Sequence, residues 1–298
     1  MSVNVLVPLD GSDKDERALS VAAALLELTE GRARVVRVQR PGEATSVTTV
    51  QEAAARLQGE ARRETTVEVL SGSDVPQALL NDIETHRANF VVMATRAPGA
   101  IGRAMKGSVA DRLVRESTCP VVLVPPHARH LGGKHLHLRR VLVPLDGSLS
   151  ALSAVSCLSS LPRADMLEVV LLQAVHPERT GGHILPPGVD ASADDQIHVS
   201  ADVARERLNS VAEHLSAKGV TSEVRVIESR DPGSTLIDAI RSDLVDFIAM
   251  TTRGAGGLQR LVLGSVAEYV ARHSEIPVLL VTARSSVMAA KSPIGLWR

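Results

Sequence analysis

Two aspartates and two glycine–serine pairs are the residues of this chain whose types and surroundings best fit ligand chemistry. Asp10 and Asp146 each follow a short apolar run and are each followed by Gly-Ser. Their carboxylates can accept hydrogen bonds from an amino group or a sugar hydroxyl, whereas they repel phosphate. Gly107-Ser108 and Gly264-Ser265 have the opposite preference, because glycine lets backbone N–H groups approach a phosphate and serine adds a hydroxyl donor. The two kinds of segment together favour a ligand with a polar ring or sugar at one end and phosphate at the other.

The elements that position these residues are duplicated. The segment Val5–Ser12 returns letter for letter as Val141–Ser148, and Phe90–Val124 returns in altered form as Phe247–Val281. Because the order is kept, one αβ unit has been duplicated, and repeats decide architecture before other patterns do. The predicted organisation is a first domain over 1–127, a linker over 128–138, a second domain over 139–284 and a tail over 285–298.

Short apolar runs alternate with segments of helical period in the first copy. Gly31 is predicted to be the C-cap of the first helix, and Asp74 the N-cap of the third. Strands that alternate with helices predict a parallel sheet with helices on both faces, and ligands bind such sheets beyond the carboxyl ends of the strands. The predicted strands are 3–8, 34–38, 66–70, 90–94 and 121–124, and the predicted helices are 14–30, 48–63, 76–86 and 103–116.

The second copy repeats this order with an insertion at 176–195, whose prolines, glycines and serines predict a surface loop. Its predicted strands are 140–143, 168–173, 222–227, 247–251 and 278–282. The segment His127–Leu138, which includes the linker, carries four histidines and a Gly-Gly pair, so a metal site and a flexible basic tether are both conceivable. The tether is favoured because His-rich tracts are weak indications of metal binding.

Composition excludes several classes of function. The chain has 298 residues, a net charge of −1 and a pI near 6.8, with acidic and basic residues mixed in both halves. This is not the one-sided basic field that nucleic acid or an anionic membrane attracts. Two cysteines in unrelated contexts provide neither a disulfide framework nor a metal-ligand spacing. With no signal peptide or apolar run of membrane-spanning length, the expectation is a cytoplasmic protein without a membrane partner.

The motifs of several enzyme classes are absent from the sequence. There is no Gly-x4-Gly-Lys-Ser/Thr loop, no Gly-x-Gly-x-x-Gly after the first strand, no Gly-x-Ser-x-Gly elbow and no Cys/His cluster for a catalytic metal. No residue of the expected crevice is an evident general base, so no catalytic residue is predicted. This favours binding as the function.

The spacing of the second copy resembles the universal stress protein family. The family's phosphate motif is Gly-x2-Gly-x9-Gly-Ser/Thr, and the second copy has Thr251-x2-Gly254-x9-Gly264-Ser265 after a strand. The first copy has Ala94-x2-Ala97-x9-Gly107-Ser108. The resemblance covers both halves and implies two tandem Rossmann-like (adenine nucleotide α-hydrolase-like) α/β domains. Each has a five-stranded parallel sheet of order 3-2-1-4-5 with helices on both faces.

The resemblance also implies an ATP site, with or without Mg²⁺, in each crevice. In nucleotide-binding relatives the residues after the first strand and at the end of the second surround adenine, those ending the fourth strand lie by the ribose, and the glycine–serine segment holds the phosphates. The second-copy residues are Pro144, Asp146 and Val175 at adenine, Met250 and Thr251 at ribose, and Gly254, Gly264, Ser265 and Val266 at phosphate. The first-copy residues are Pro8, Asp10, Val38, Met93, Ala94, Ala97, Gly107, Ser108 and Val109.

The departures from the family motif predict unequal sites. Ala97 adds a methyl group where the phosphate chain should approach, and a positive φ there would be strained, while Thr251 and Ala94 replace a glycine nearer the ribose. The second site is therefore expected to bind ATP more tightly. Two alternatives are a nucleotide-free scaffold of the same fold and a slow ATPase. Asp10 and Asp146 also fit a purely structural role in the turn, and Arg96 and Arg253 fit phosphate contacts and solvated loop charges equally well.

The expected partners are an adenine nucleotide and proteins that the sequence does not identify. Single-domain relatives dimerise by pairing their fifth strands, and here Val121–Val124 and Val278–Val281 belong to one chain. Their pairing would make the tandem protein its own pseudo-dimer and cover both sheet edges. A further homodimer through helical faces is plausible, although no particular residue favours it.

Overall fold

A computed structural model describes residues 3–12, 15–42, 47–95, 109–128, 136–177, 200–252 and 263–282. Within these ranges the chain forms ten strands and eight α-helices. The strands are β1 Asn4–Leu9, β2 Arg32–Gln39, β3 Thr65–Ser71, β4 Phe90–Ala94, β5 Val121–Val124, β6 Arg140–Pro144, β7 Glu168–Val175, β8 Thr221–Glu228, β9 Phe247–Thr251 and β10 Val278–Val281. The helices are α1 Asp15–Thr29, α2 Val47–Ala61, α3 Val75–Thr85, α4 Val109–Glu116, α5 Leu152–Ser159, α6 Ala201–Ser216, α7 Pro232–Ser242 and α8 Ser265–His273.

The strands form one sheet in the order β3-β2-β1-β4-β5-β10-β9-β6-β7-β8. Each half is parallel with the order 3-2-1-4-5, which confirms the predicted fold. The halves meet at β5 and β10, which pair antiparallel with Leu123 opposite Val278 and Val121 opposite Leu280. This is the intrachain pairing that the sequence predicts, and it covers two strand edges that would otherwise be open.

The inner strands of the sheet are buried on both faces, as their continuous apolar runs require, whereas the outer strands β3 and β8 keep exposed residues. Alternate strand residues pack against α1, α2, α5 and α6 on one face, here called the α1 face. The other residues pack against α3, α4, α7 and α8 on the opposite face, here called the α3 face. Each apolar cluster contains residues of both copies, so the core is continuous across the central β5–β10 pair.

The end of α1 corrects one prediction. Gly31 is not the residue in the left-handed conformation, because Glu30 has a φ of 47° and takes that role. Glycine is needed at position 31 for a different reason: a Cβ there would stand 2.5 Å from the carbonyl oxygen of Val3. The residue therefore marks a close approach of two backbone segments at the start of β1.

Helix α3 has the predicted N-cap but begins at Val75, one residue before the predicted start. Asp74 is its N-cap, with the side chain accepting a hydrogen bond from the backbone N–H of Gln77. The same carboxylate receives Arg112 of α4 at 2.8 Å, and that guanidinium holds the pKa of Asp74 below its usual range. In the second copy Asp231 caps α7, and Tyr269 of α8 takes the place of the arginine and packs over Gly233.

The two copies also touch beside the sheet. The backbone N–H of Arg163 donates to the carbonyl oxygen of Leu28 at 3.0 Å, and Nδ1 of His137 lies 3.1 Å from a carboxylate oxygen of Glu27. His137 thus joins the linker to α1. Among the described residues no group of three or more His, Cys, Asp or Glu side chains is arranged to hold a metal ion.

No helix within the described ranges combines the length and the apolar character needed to cross a bilayer. Both cysteines lie in the protein core, Cys119 on the α3 face and Cys157 on the α1 face.

Both thiols are expected to be inert in the native protein. Burial raises the pKa of Cys119 to about 11 and that of Cys157 to about 12. Near pH 8 the reactive thiolate is therefore at most about one part in a thousand of either group, and access is blocked as well. A thiol-specific disulfide reagent should give no rapid reaction with native protein and two equivalents after denaturation; rapid release of one equivalent from the native state would contradict this.

Candidate functional site

Four of the predicted first-copy residues share one face of the sheet. Val38, Met93 and Val109 pack on the α3 face. Pro8 joins them by strand alternation, because its neighbours Val7 and Leu9 belong to the α1 face. Pro8, Val38 and Met93 stand at or near the carboxyl ends of β1, β2 and β4. These residues form an apolar wall at the edge of the sheet where the fold predicts a ligand crevice.

The second copy has the same wall with one correction. Pro144, Met250 and Val266 occupy the positions of Pro8, Met93 and Val109 on the α3 face. The register pairs Pro8 with Val36 and Pro144 with Leu172, so the counterpart of Val38 is Ala174. The prediction of Val175 for this position was wrong by one residue. A shift of one residue along a strand turns the side chain to the other face of the sheet.

The side chains of Ala94 and Thr251 turn away from the face on which the other predicted site residues lie. Ala94 packs against the α1-face cluster, so its methyl group points away from the α3-face crevice. Thr251 follows Met250 in β9 and by alternation also turns to the α1 face. Their replacement of a glycine therefore adds no side chain to the crevice wall, which leaves only their backbone to face a ligand.

The Asp-Gly-Ser turns are built in the same way in both copies. Gly11 and Gly147 have φ values of 82° and 81°, a conformation that glycine adopts without strain. The carboxylate of Asp10 accepts the N–H of Ser12 at 2.9 Å. That of Asp146 accepts both the N–H and the hydroxyl of Ser148, at 3.0 and 2.6 Å. The structural role in the turn is therefore real, and both exposed carboxylates are held at the sheet's carboxyl edge.

Helix α8 brings its N-terminus to the same edge. The N–H of Gly264 donates to the carbonyl oxygen of Thr252 at 2.8 Å, which fixes the helix start beside the end of β9. Gly264 is the N-cap and supplies no side-chain hydrogen bond. The first intrahelical bond runs from Glu268 N–H to Gly264 C=O, so the N–H groups of Ser265, Val266 and Ala267 precede it. Such a terminus carries partial positive charge and suits an anion.

Several predicted residues cannot be compared with the geometry. Gly254, Gly107 and Ser108 lie outside the described residues, as do Ala97, Arg96 and Arg253.

Sequence reasoning missed Asp15. Its carboxylate accepts the N–H of Gly11 at 2.8 Å and that of Asp10 at 3.3 Å, so it closes the first-copy turn from the helix side. Burial raises the pKa of Asp15, and these two hydrogen bonds oppose the rise. The second copy has Ala151 at the equivalent position. Alignment of the repeats shows this difference, but only the folded turn shows what the carboxylate does.

Fold and site define a class: a duplicated, doubly wound α/β protein with an Asp-Gly-Ser turn at the carboxyl edge of each half. The family model of the universal stress protein family matches residues 1–125 and 137–282. The chain therefore belongs to the universal stress protein family, as predicted.

Relatives and solved structures agree with this assignment. A universal stress protein of Mycobacterium tuberculosis (strain H37Rv) is 29% identical over 206 residues, covering 66% of this chain and 62% of the relative. Another from the same strain is 28% identical over 210 residues, covering 70% and 68%. A universal stress protein from Archaeoglobus fulgidus superposes with a TM-score of 0.61 at 19% identity, covering 94% of this chain and 96% of that one.

Part of the chain also matches a universal stress protein crystallised in complex with cAMP, with 20% identity and a TM-score of 0.36. This match covers 41% of this chain and 96% of that protein.

Proposed function

We propose that the second copy binds an adenine nucleotide, ATP, in the crevice at the carboxyl ends of β6 and β9, and that the bound nucleotide regulates the protein in a stress response. The observation that carries this proposal is the start of α8. Its N–H groups precede the first helical hydrogen bond, have no side-chain cap, and are held beside Thr252 by the Gly264 hydrogen bond. This is the arrangement that a phosphate needs from a backbone.

The rest of the crevice fits the other parts of the ligand. Pro144, Ala174 and Met250 provide aliphatic surface for a planar base, and the chain has few aromatic residues for stacking. The Asp146 carboxylate is fixed in its turn and can accept from an amino or hydroxyl group. Ser265 adds a hydroxyl at the helix start, and Gly254 is proposed to approach the phosphates. Mg²⁺ would arrive with the phosphates, since it commonly keeps its waters and substrate phosphate oxygens as ligands.

The first copy is the weaker site in this proposal, for two reasons. Ala97 stands where the second copy has Gly254. In addition, Asp15 places a second carboxylate at the turn beside Asp10 and accepts a hydrogen bond from the Gly11 N–H. The equivalent residue of the second copy is Ala151, whose side chain has no acceptor. An added negative charge near a polyphosphate is unfavourable. Gly107, Ser108 and Val109 remain the proposed phosphate residues of this copy.

A nucleotide that binds only the folded chain also stabilises it, by RT ln(1 + [L]/Kd), or about 2.7 kcal/mol at a hundredfold excess over Kd. Nucleotide level would thereby be converted into protein stability and into the conformations of the loops around the crevice. This is a regulatory role that needs no catalytic residue.

The test measures the nucleotide directly and compares matched variants. The freshly purified chain is denatured, the released small molecules are identified by mass spectrometry, and Mg-ATP is titrated calorimetrically. Asp146→Ala is expected to weaken the tighter binding event by about tenfold, one lost charged hydrogen bond being about 1.4 kcal/mol or more, while Asp10→Ala leaves it unchanged. Equal losses would refute the asymmetry. No nucleotide and no thermal shift with Mg-ATP would favour the scaffold, and phosphate release above background would establish an ATPase.

A further inference from the structure

An arginine covers the turn glycine in both copies, but it comes from different elements. In the first copy Arg37 of β2 lies against Gly11: a Cβ on that glycine would stand 2.3 Å from Nη1 of Arg37. In the second copy Arg207 of α6 lies against Gly147, with Nη1 at 3.4 Å from the equivalent position. The turn has the same sequence and the same glycine conformation in both copies. The place beside its glycine is therefore occupied by an arginine from a strand in one copy and by an arginine from a helix in the other.

The two copies differ in opposite ways at two equivalent positions, one in the second strand and one in the second helix of each copy. The β1–β2 register places Arg37 opposite Leu9, and the equivalent residue of β7 is Gln173, which follows Leu172 opposite Pro144. The buried residues of α2 (Val50, Ala54 and Leu57) and of α6 (Ala204, Leu208 and Val211) have the same spacing. This alignment makes Ala53 the counterpart of Arg207. The first copy thus combines Arg37 with Ala53, and the second combines Gln173 with Arg207.

The free space beside each turn differs in the same way as the residues. A cleft of about 150 Å³ opens on the α1 face of the first copy, and Gly11, Arg37 and Ala53 are among the residues that line it. An arginine at position 53 would have this cleft to occupy, as Arg207 extends over the turn of the second copy. Gln173 is by contrast only 3% exposed, and its amide Nε2 lies 3.6 Å from the Gly147 Cβ position.

The arginine approaches each turn from the face opposite the crevice wall. Val35 and Leu171, two residues before Arg37 and Gln173, pack on the α1 face, whereas Pro8 and Pro144 belong to the α3 face. The guanidinium therefore supports the turn from behind and leaves the exposed Asp10 or Asp146 carboxylate on the open edge. A planar cation against the glycine restricts the left-handed turn, and its charge attracts nearby carboxylates such as Asp15.

We infer that Arg37 and Arg207 are equivalent positioning residues, supplied by the strand in one copy and by the helix in the other, that hold the Asp-Gly-Ser turn in its ligand-binding geometry. The inference rests on the proposed function for its effect on affinity, but its effect on the turn itself is independent of any nucleotide. Groups that orient metal ligands contribute about ten- to a hundredfold to affinity, and an effect at the lower end of this range is expected here.

The test exchanges the arginine between the two elements of the second copy in the full-length chain. Arg207→Ala is expected to weaken Mg-ATP binding about tenfold, and the double variant Arg207→Ala with Gln173→Arg, which copies the first-copy arrangement, to restore it to within about threefold of the original. Arg205→Ala is the matched control, since it removes an exposed arginine of the same helix that pairs with Asp202. It should change neither binding nor the turn.

Amide hydrogen exchange of the nucleotide-free protein tests the support of the turn by arginine separately from the proposed binding of nucleotide. Arg207→Ala should accelerate exchange in the peptide that spans 145–149, and the double variant should slow it again. In the first copy Arg37→Gln should likewise accelerate exchange at 9–12, and the double variant Arg37→Gln with Ala53→Arg should slow it again. Unchanged exchange and binding in Arg207→Ala, or a loss that the relocated arginine does not rescue, would overturn the inference. If the unaltered chain binds no Mg-ATP, the proposed function fails, and the amide hydrogen exchange data alone decide whether the arginines hold the turn.

Discussion

Asp82→Ala is expected to lower the free energy of unfolding by about 3 kcal/mol, because it leaves a guanidinium largely buried without its main partner. Asp82 of α3 has a side chain that is 3% exposed, and it receives Arg34 of β2 through two nitrogens, at 2.8 and 3.0 Å. Nδ1 of His86 lies 3.1 Å from the same carboxylate. With aspartate removed, Glu68, at 3.9 Å, is the one acidic residue of the described ranges that stays within ion-pair distance of Arg34. The expected loss is therefore at the lower end of the range for broken buried pairs.

Urea denaturation of the two proteins provides the measurement. The control is Glu16→Ala, which breaks the Arg56–Glu16 pair at 2.7 Å, where both side chains are more than half exposed. An exposed pair of this kind contributes less than about 1 kcal/mol. If the two variants lost equal stability, burial would not be the reason for the Asp82 effect and the prediction would be wrong.

Gly31→Ala is the second change with a large expected effect, about 2–3 kcal/mol of lost stability. The new Cβ would stand 2.5 Å from the carbonyl oxygen and 3.1 Å from the carbonyl carbon of Val3. Both contacts are backbone atoms at the start of the central strand β1, so no side-chain rotation relieves them. The N–H of Arg32 also donates to this same carbonyl at 2.8 Å, and a displaced Val3 would weaken that bond as well.

Gly59→Ala is the matched control for this substitution. Gly59 lies inside α2 with nothing within 4 Å of a Cβ, and alanine there should stabilise the helix by about 0.5–1 kcal/mol. Thermal unfolding of both variants should therefore shift in opposite directions. A Gly31→Ala protein as stable as the original would show that the backbone can move apart at no cost.

Much of the fold is predictable because the repeat constrains it twice. β4, β5 and β9 begin and end where the apolar runs do, and the Asp74 cap follows from the chemistry of an aspartate before a helix with proline in its first turn. Two details were wrong for physical reasons. The left-handed residue after α1 is Glu30, since Gly31 is reserved for the contact with Val3. Val175 was placed on the crevice because repeat matching by residue type does not enforce strand register.

The site was predictable in its parts but not in its support. Asp10, Asp146 and Gly264 follow from motif and position, and the structure gives each a defined turn or helix start. The roles of Asp15 and of the two arginines depend on which side chains meet across elements far apart in the chain. Arg37 and Arg207 share no motif, and only their common approach to a turn glycine relates them.

The antiparallel join at β5 and β10 determines where the two proposed binding sites lie relative to each other. It relates the two halves by a pseudo-twofold axis normal to the sheet, which preserves the faces and reverses the strand direction. The crevices therefore open on the same side of the sheet but at opposite edges. Nucleotides bound in both copies, as proposed, would point away from each other, and a partner that contacts both must extend along the whole length of the strands.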